Sequence, residues 1–392
     1  MRNRKRKRLR SKPLSPVVAV RHISSLTRLL LFVRAGGRCE FDGCPHYLIE
    51  HPVTLKEGNF AEMAHIVAFR PDGPRGAVSR PKNIHGLENL MLLCPQCHKL
   101  IDDRPEDYTR RTLVEYKRRH ETWIKRVTGL SPDQKTALVV FVSPIGTQTV
   151  SVGFDQMLEA VAPRYPVSRE GLEIDLTNLL KESASVNAVA RETIRTRLTH
   201  YFEERGEWKR SGHISVFALG PMPQLIYLGS QLSNKVSTDF FQRHRDTESW
   251  TWKRTGIPVQ YKFRRLREGA DSSCVALLLC LSGSGPRENL PPQVDGDYFV
   301  YEVTLNGLIP SPTFLSQRED LERFRIKYQD VLAEIMKEHP KVKELDLFPA
   351  VPAPVAVLCG RETLPKVHPA LRVYDFDKGK NGFVYQLTVN DV

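Results

Sequence analysis

LCPQCHKLIDD (residues 93–103) places two cysteines, a histidine and two aspartates within eleven positions. Cys94 and Cys97 form a CxxC knuckle, the spacing of a metal site or of a redox pair. Some fifty residues earlier, RCEFDGC supplies Cys39 and Cys44 as a CxxxxC knuckle. Two knuckles offer four thiolates, a complete tetrahedral set for zinc with no open coordination position. A redox reading of Cys94 and Cys97 leaves the other pair unexplained. The zinc expected here is structural: it ties a loop-rich segment with little core into one piece, so that its binding energy becomes folding energy. His98 is left over. A helix beginning after the second knuckle sets His98 and Asp102 four apart on one face, the start of a second metal site.

Working outward, residues 1–130 hold 26 Lys+Arg against 13 Asp+Glu, whereas residues 131–392 hold 32 of each. All of the net charge of +13 therefore lies on the first third of the chain. Such a field attracts polyanions, nucleic acid first among them. Eight of these charges fall in the first twelve residues, RNRKRKRLRSK included, which reads as a disordered basic leader (1–20) without the apolar core of a secretion signal. No run of eighteen apolar residues exists, so no spanning helix and no membrane partner are expected, and the chain is expected in the cytoplasm. Cys274, Cys280 and Cys359 sit in apolar runs and read as core hydrophobes.

The spacing predicts a short helix over 22–34 and an amphipathic helix over 107–127, the latter from Leu113, Tyr116, His120, Trp123, Ile124 and Val127. Gly and Pro in TGLSPDQ (128–134) mark a domain boundary near 130, dividing a head (21–130) from a tail (131–392). In the tail, six apolar runs read as strands of a buried, largely parallel sheet with helices on its faces: ALVVFVS (137–143), ISVFALG (214–220), PQLIYLG (223–229), VALLLCLSG (275–283), FVYEVTL (299–305) and PVAVLCG (354–360). FVSPIG at 141 and CLSGSG at 280 both end a strand in a small-residue loop, where open α/β sheets bind ligands. Their recurrence hints at an internal duplication.

AHI around His65, ENLMLLC with Asn89, and CPQCH, the second knuckle followed by His98, come in that order after the first knuckle. Residues 36–126 thereby resemble the HNH (ββα-metal) endonuclease family. The resemblance implies a hairpin carrying His65 packed on the helix that starts near His98. It implies that His65 is the general base that activates water, that Asn89 fixes the loop and orients that imidazole, and that His98 binds a divalent cation such as magnesium. Many members carry Asp or His just before the base; here Ala64 stands there, and Glu62 or Asp102 is the expected substitute ligand.

In the tail, Trp250 and Trp252 lie beside Arg245 and Lys253, a combination suited to stacking on a base with charge on a phosphate. Their alternate positions also suit a strand with one Trp in a core. FALGPMP, YLGSQLSNK, the QRHR…WTW segment and LSGSG resemble the SAVED domain of bacterial CBASS anti-phage systems. That resemblance implies two fused CARF-like, Rossmann-type halves with a cyclic di- or trinucleotide between them, and candidate contacts at Pro144, Arg245, Trp250, Trp252, Lys253, Ser282, Gly283 and Ser284.

The expected architecture is an α+β zinc-stapled ββα-metal head followed by an α/β SAVED tail. The expected function is an endonuclease that cuts duplex DNA when a cyclic oligonucleotide from a partner nucleotidyltransferase drives its tails into a homo-oligomer. The alternatives are a modification-dependent HNH restriction endonuclease and a non-catalytic, zinc-stapled, ligand-responsive DNA-binding regulator. Balanced charge over 131–392 disfavours a second DNA-reading domain.

Overall fold

The computed structural model describes residues 22–44, 46–76, 79–145, 152–178, 186–232 and 236–390. The basic leader, Gly146 of FVSPIG and residues 233–235 of YLGSQLSNK lie outside them. The chain forms two compact units, one ending at Gly129 and the other beginning at Leu130.

In the first unit, Ser24 caps α1 (Ser25–Ala35) by accepting from Thr27 N, and Gly36 ends it at φ 61°. A long irregular stretch leads to β1 (Glu62–His65), which pairs antiparallel with β2 (Leu90–Leu93), so that Glu62 faces Leu93 and His65 faces Leu90. Helix α2 (Pro95–Asp103) follows at once: Cys94 is its N-cap and Pro95 its first residue, where a missing N–H costs nothing. Helix α3 (Arg110–Thr128) closes the unit. Leu90–Leu93 are all fully buried, and with Leu31, Ala35, Cys39, Ile101 and Leu113 they make up a small core.

The second unit has two sheets. The first has β3 (Ser131–Val142) at its centre, with β4 (Arg164–Pro166) and β5 (Leu172–Asp175) along one edge and β6 (His213–Leu219) then β7 (Ser237–Phe241) on the other; every pairing is parallel. Helices α4 (Phe154–Val161), α5 (Val186–His200), α6 (Glu207–Ser211) and α7 (Met222–Gln231) connect these strands. The second sheet uses β8 (Tyr261–Arg267), β9 (Val275–Cys280), β10 (Phe299–Leu305), β11 (Glu344–Ala350), β12 (Ala370–Asp377) and β13 (Gly382–Val389), in the order β13-β12-β11-β9-β10-β8. Its four inner strands are parallel and its two edges antiparallel. Helices α8 (Gly285–Glu288), α9 (Arg318–Glu338) and α10 (Ala353–Glu362) belong to this half.

Two of the six apolar runs are not strands. PQLIYLG lies in α7 and PVAVLCG in α10. A helix buried on all sides carries the same continuous apolar pattern as a buried strand, and only its packing tells them apart. These two helices pack on each other so closely that a Cβ on Gly229 would lie 1.8 Å from Val357 O, and one on Gly360 would lie 1.8 Å from Ile226 O. The contact is reciprocal, each glycine eight positions into its helix behind a Pro-x-Pro start. The internal duplication shows most plainly here, relating LGPMPQLIYLGS (219–230) to AVPAPVAVLCGR (350–361). Of the apolar cysteines, Cys280 and Cys359 are fully buried, but Cys274 is only half-buried, beside Asp271.

Candidate functional site

The Sγ atoms of Cys39, Cys44, Cys94 and Cys97 all lie within 4.8 Å of one another. Helix α2 supplies two of them, Cys94 from its N-cap and Cys97 from its first turn, whose N–H points at Cys94 Sγ (3.4 Å). Cys94 N in turn donates to Cys39 Sγ at 3.4 Å, joining the two knuckles. Burial, reinforced by the neighbouring thiolates of Cys94 and Cys44, pushes the Cys39 thiol up to about 12. Four such groups cannot all ionise side by side without a cation, and four thiolates at this spacing fit zinc.

His65 ends β1, and the residue that fixes its surroundings is Asn89. The Asn89 amide is buried; its Oδ1 accepts from Val67 N (3.0 Å), and its Nδ2 donates to Val67 O (3.0 Å) and Ile84 O (2.9 Å). Asn89 thus holds the backbone two residues beyond His65. On α2, His98 meets both expected carboxylates: its Nδ1 lies 2.6 Å from Glu62 Oε2, and its Nε2 lies 3.4 Å from Asp102 Oδ2. The carboxylates take opposite ring nitrogens, so only one of them can share a cation with His98 in this orientation. Asp102 already pairs with the guanidinium of Arg75 at 3.1 Å, which favours Glu62 for that part.

Two residues not singled out in the sequence enter this region. Arg75, in the left-handed region at φ 57°, buries its side chain to 4% exposure. It donates to Ile66 O (2.6 Å) and Ile101 O (2.6 Å) as well as to Asp102, and so ties the exit of β1 to the end of α2. His85 places Nδ1 3.1 Å from His65 Nε2. Its position in NIHGLENLMLLC, four residues before Asn89, was the available signal.

In the tail the expected ligand residues do not converge. Trp250 is fully buried, edge-on to Phe217 at 5.3 Å, and belongs to the core of the first sheet; it has no face to offer a base. Trp252 and Lys253 line a cavity of about 520 Å³ with Gln134, Pro163, Arg164 and Arg318, near the amino end of β3. A neighbouring cavity of about 460 Å³ shares Asp239 and Arg318 and adds Arg325 and Arg361. Asp239 is held there by Arg318, Arg164 and His213. Neither cavity is lined by Pro144, Arg245, Ser282, Gly283 or Ser284. Pro144 follows the carboxyl end of β3, and Ser282–Ser284 follow that of β9, where Ser282 N donates to Ala350 O (2.7 Å).

Residues 39–104 match the model of an HNH endonuclease domain, and residues 194–389 match that of the SMODS-associated and fused to various effectors sensor domain, SAVED. No curated protein matches the chain. Among solved structures it is similar to the Acinetobacter baumannii Cap4 SAVED/CARF-domain containing receptor with the cyclic trinucleotide 3'3'3'-cAAA (12% identity, TM-score 0.42, 75% of this chain and 61% of that one). The Moraxella osloensis Cap4 receptor gives 11% identity, a TM-score of 0.37, and coverage of 75% and 60%. The chain thus spans about three-fifths of the length of those receptors. The SAVED match covers half of the sequence and runs from α5 to β13, behind the HNH match built on the cysteine knuckles and the β1–β2 hairpin, and on these grounds the chain belongs to the SAVED family as an HNH–SAVED effector.

Proposed function

We propose that this chain is a metal-dependent endonuclease that cuts duplex DNA with little sequence preference when its tail binds a cyclic oligonucleotide, as an arm of anti-phage defence. The observation that carries this reading is the placement of Asn89, a single buried amide that fixes the strand end bearing His65, beside a helix presenting His98 to Glu62. In this reading His65 takes the proton of the attacking water, the general-base role that imidazole most often fills. Glu62 and His98 hold the divalent cation, magnesium, while Asp102, backed by Arg75, keeps the His98 ring in place from its other nitrogen. That cation supplies positive charge where the phosphoryl group gains negative charge. Zinc on the four cysteines is the staple that holds both catalytic segments. The surplus of Lys and Arg in the head draws in the DNA.

For the tail we place the cyclic di- or trinucleotide at the carboxyl ends of β3 and β9, against Pro144 and Ser282–Ser284. What supports this is that α7 and α10 begin at the equivalent ends of β6 and β11, and neither helix has a side-chain cap. Pro223 and Pro354 have no N–H, so the first-turn donors left for a phosphate are those of Met222 and Gln224 in α7 and of Ala353 in α10. Trp252, Lys253 and Arg245 remain candidates for a second contact. Ligand binding is then coupled to assembly of several chains, which pairs heads for cutting both strands. The test is nicking of supercoiled plasmid with Mg²⁺, with and without a synthetic panel of cyclic di- and trinucleotides. Cutting that requires both the metal and one member of the panel is expected. Cutting independent of every nucleotide removes the sensor role, and no cutting under any condition removes the nuclease.

A further inference from the structure

The contact between His65 and His85 is built rather than incidental. The two rings sit edge to face, 5.3 Å between centroids; the His85 ring stacks on Phe69 at 5.2 Å and 25°, and Phe69 also lies 6.4 Å from the His65 ring. Asn89 holds the backbone next to both: Val67 on the His65 side and Ile84 on the His85 side. The N–H of His85 itself donates to Asn83 Oδ1 at 3.1 Å. One buried amide and one stacked phenyl ring thus bring a second imidazole to the expected base. Two neutral imidazoles gain little from each other at rest, so this degree of fixing calls for another use.

We infer that His85 is a positioning residue for His65, an inference that rests on the nuclease reading above. When His65 takes the water proton, the hydroxide oxygen bonds to phosphorus and the bond to the leaving oxygen breaks, that oxygen keeping the electron pair and taking a proton from solvent water. His65 is then an imidazolium with an N–H on each nitrogen. Its Nε2–H faces Nδ1 of His85 at 3.1 Å, and a neutral His85 protonated on Nε2 accepts it there. A hydrogen bond to a charged donor is about twice as strong as one between neutral groups. The contact therefore stabilises the proton-transferred state more than the resting state, which is what speeds a chemical step. It also fixes the plane of the His65 ring while the proton moves.

The experiment uses the full-length chain, Mg²⁺, supercoiled plasmid and the member of the cyclic-nucleotide panel that supports wild-type cutting. His85→Ala is expected to lower kcat about 10–100-fold with KM for plasmid within about twofold, below the span usual for the base itself. His85→Asn, whose Oδ1 can accept where Nδ1 does, is expected to recover most of that loss. In a His65→Ala background, adding His85→Ala is expected to change nothing further, since a residue acting through His65 has nothing left to act on. Wild-type cutting by His85→Ala, no recovery by His85→Asn, or losses that multiply in the double variant each overturn this inference alone. A wild-type chain that cuts with no member of the panel overturns the nuclease reading and this inference with it.

Discussion

At the scale of single residues, Asn89 is the most demanding position in the head. Its amide gives two N–H donors to carbonyls and takes one N–H from Val67, so both ends of the group are used with their polarity fixed. Asn89→Asp keeps the shape but sets a carboxylate oxygen against the carbonyls of Val67 and Ile84. A buried acceptor facing acceptors costs on the order of 1–3 kcal/mol or more. We predict that Asn89→Asp loses cutting while the protein still carries zinc after purification. His65→Ala should lower cutting about 10²–10⁴-fold with nucleotide binding by the tail unchanged; near-normal cutting would exclude His65 as base. The same scale separates the two tryptophans. Trp250 lies in the core and Trp252 on a cavity wall, so only Trp252 is open to a ligand.

At the scale of elements, the four-cysteine cluster and the α7–α10 crossing hold their units in different ways. The head has a small core, and α2 is anchored to the first knuckle through sulfur. Cys97→Ser is predicted to unfold the head, read as loss of bound zinc and of its amide protection, whereas His98→Ala should retain zinc and lose activity. Soluble, active protein without zinc would refute the four-cysteine site. In the tail, α7 and α10 touch backbone to backbone because both carry glycine at the crossing. Gly229→Ala forces the helices apart and should destabilise the tail by about 1–3 kcal/mol or more. Adding Gly360→Ala should cost clearly less than the first change, because one separation relieves both clashes. Denaturant unfolding of the two single variants and the double variant measures this, and full additivity would mean that the two glycines do not share one interface.

At the scale of the whole chain, the charge surplus, the head's chemistry and the tail's binding belong to one proposed sequence of events. An unregulated nuclease would destroy its host, so the sensor must bias a two-state equilibrium, and only a ligand with differential affinity can do that. Moving the balance from about 1:99 to 99:1 takes roughly 5.5 kcal/mol of differential binding. We predict that the activating nucleotide raises the mass in solution to a multiple of the resting species, measured by light scattering. Full activation at constant mass would leave the ligand's role and remove assembly. Among the described residues no helix is long and apolar enough to cross a membrane.

The sequence alone determined the elements whose chemistry is local. Thiol spacing announced the four-cysteine cluster, and the heptad-like run to Val127 announced α3, because metal ligation and amphipathicity leave a mark at fixed short intervals. The order His65, Asn89, His98 gave the family resemblance of the head. The tertiary structure decided what depends on neighbours distant in the chain. It turned PQLIYLG and PVAVLCG into helices, because each is buried by the other across a glycine crossing that neither run reveals. It assigned Trp250 to the core and split the expected ligand contacts between two ends of β3, since strand alternation does not say which face is covered. It brought Arg75 and His85 into the site from loops without periodicity. A single side chain on an irregular loop carries no repeating signal, and its partners are fixed only when Asn89 draws the loops together.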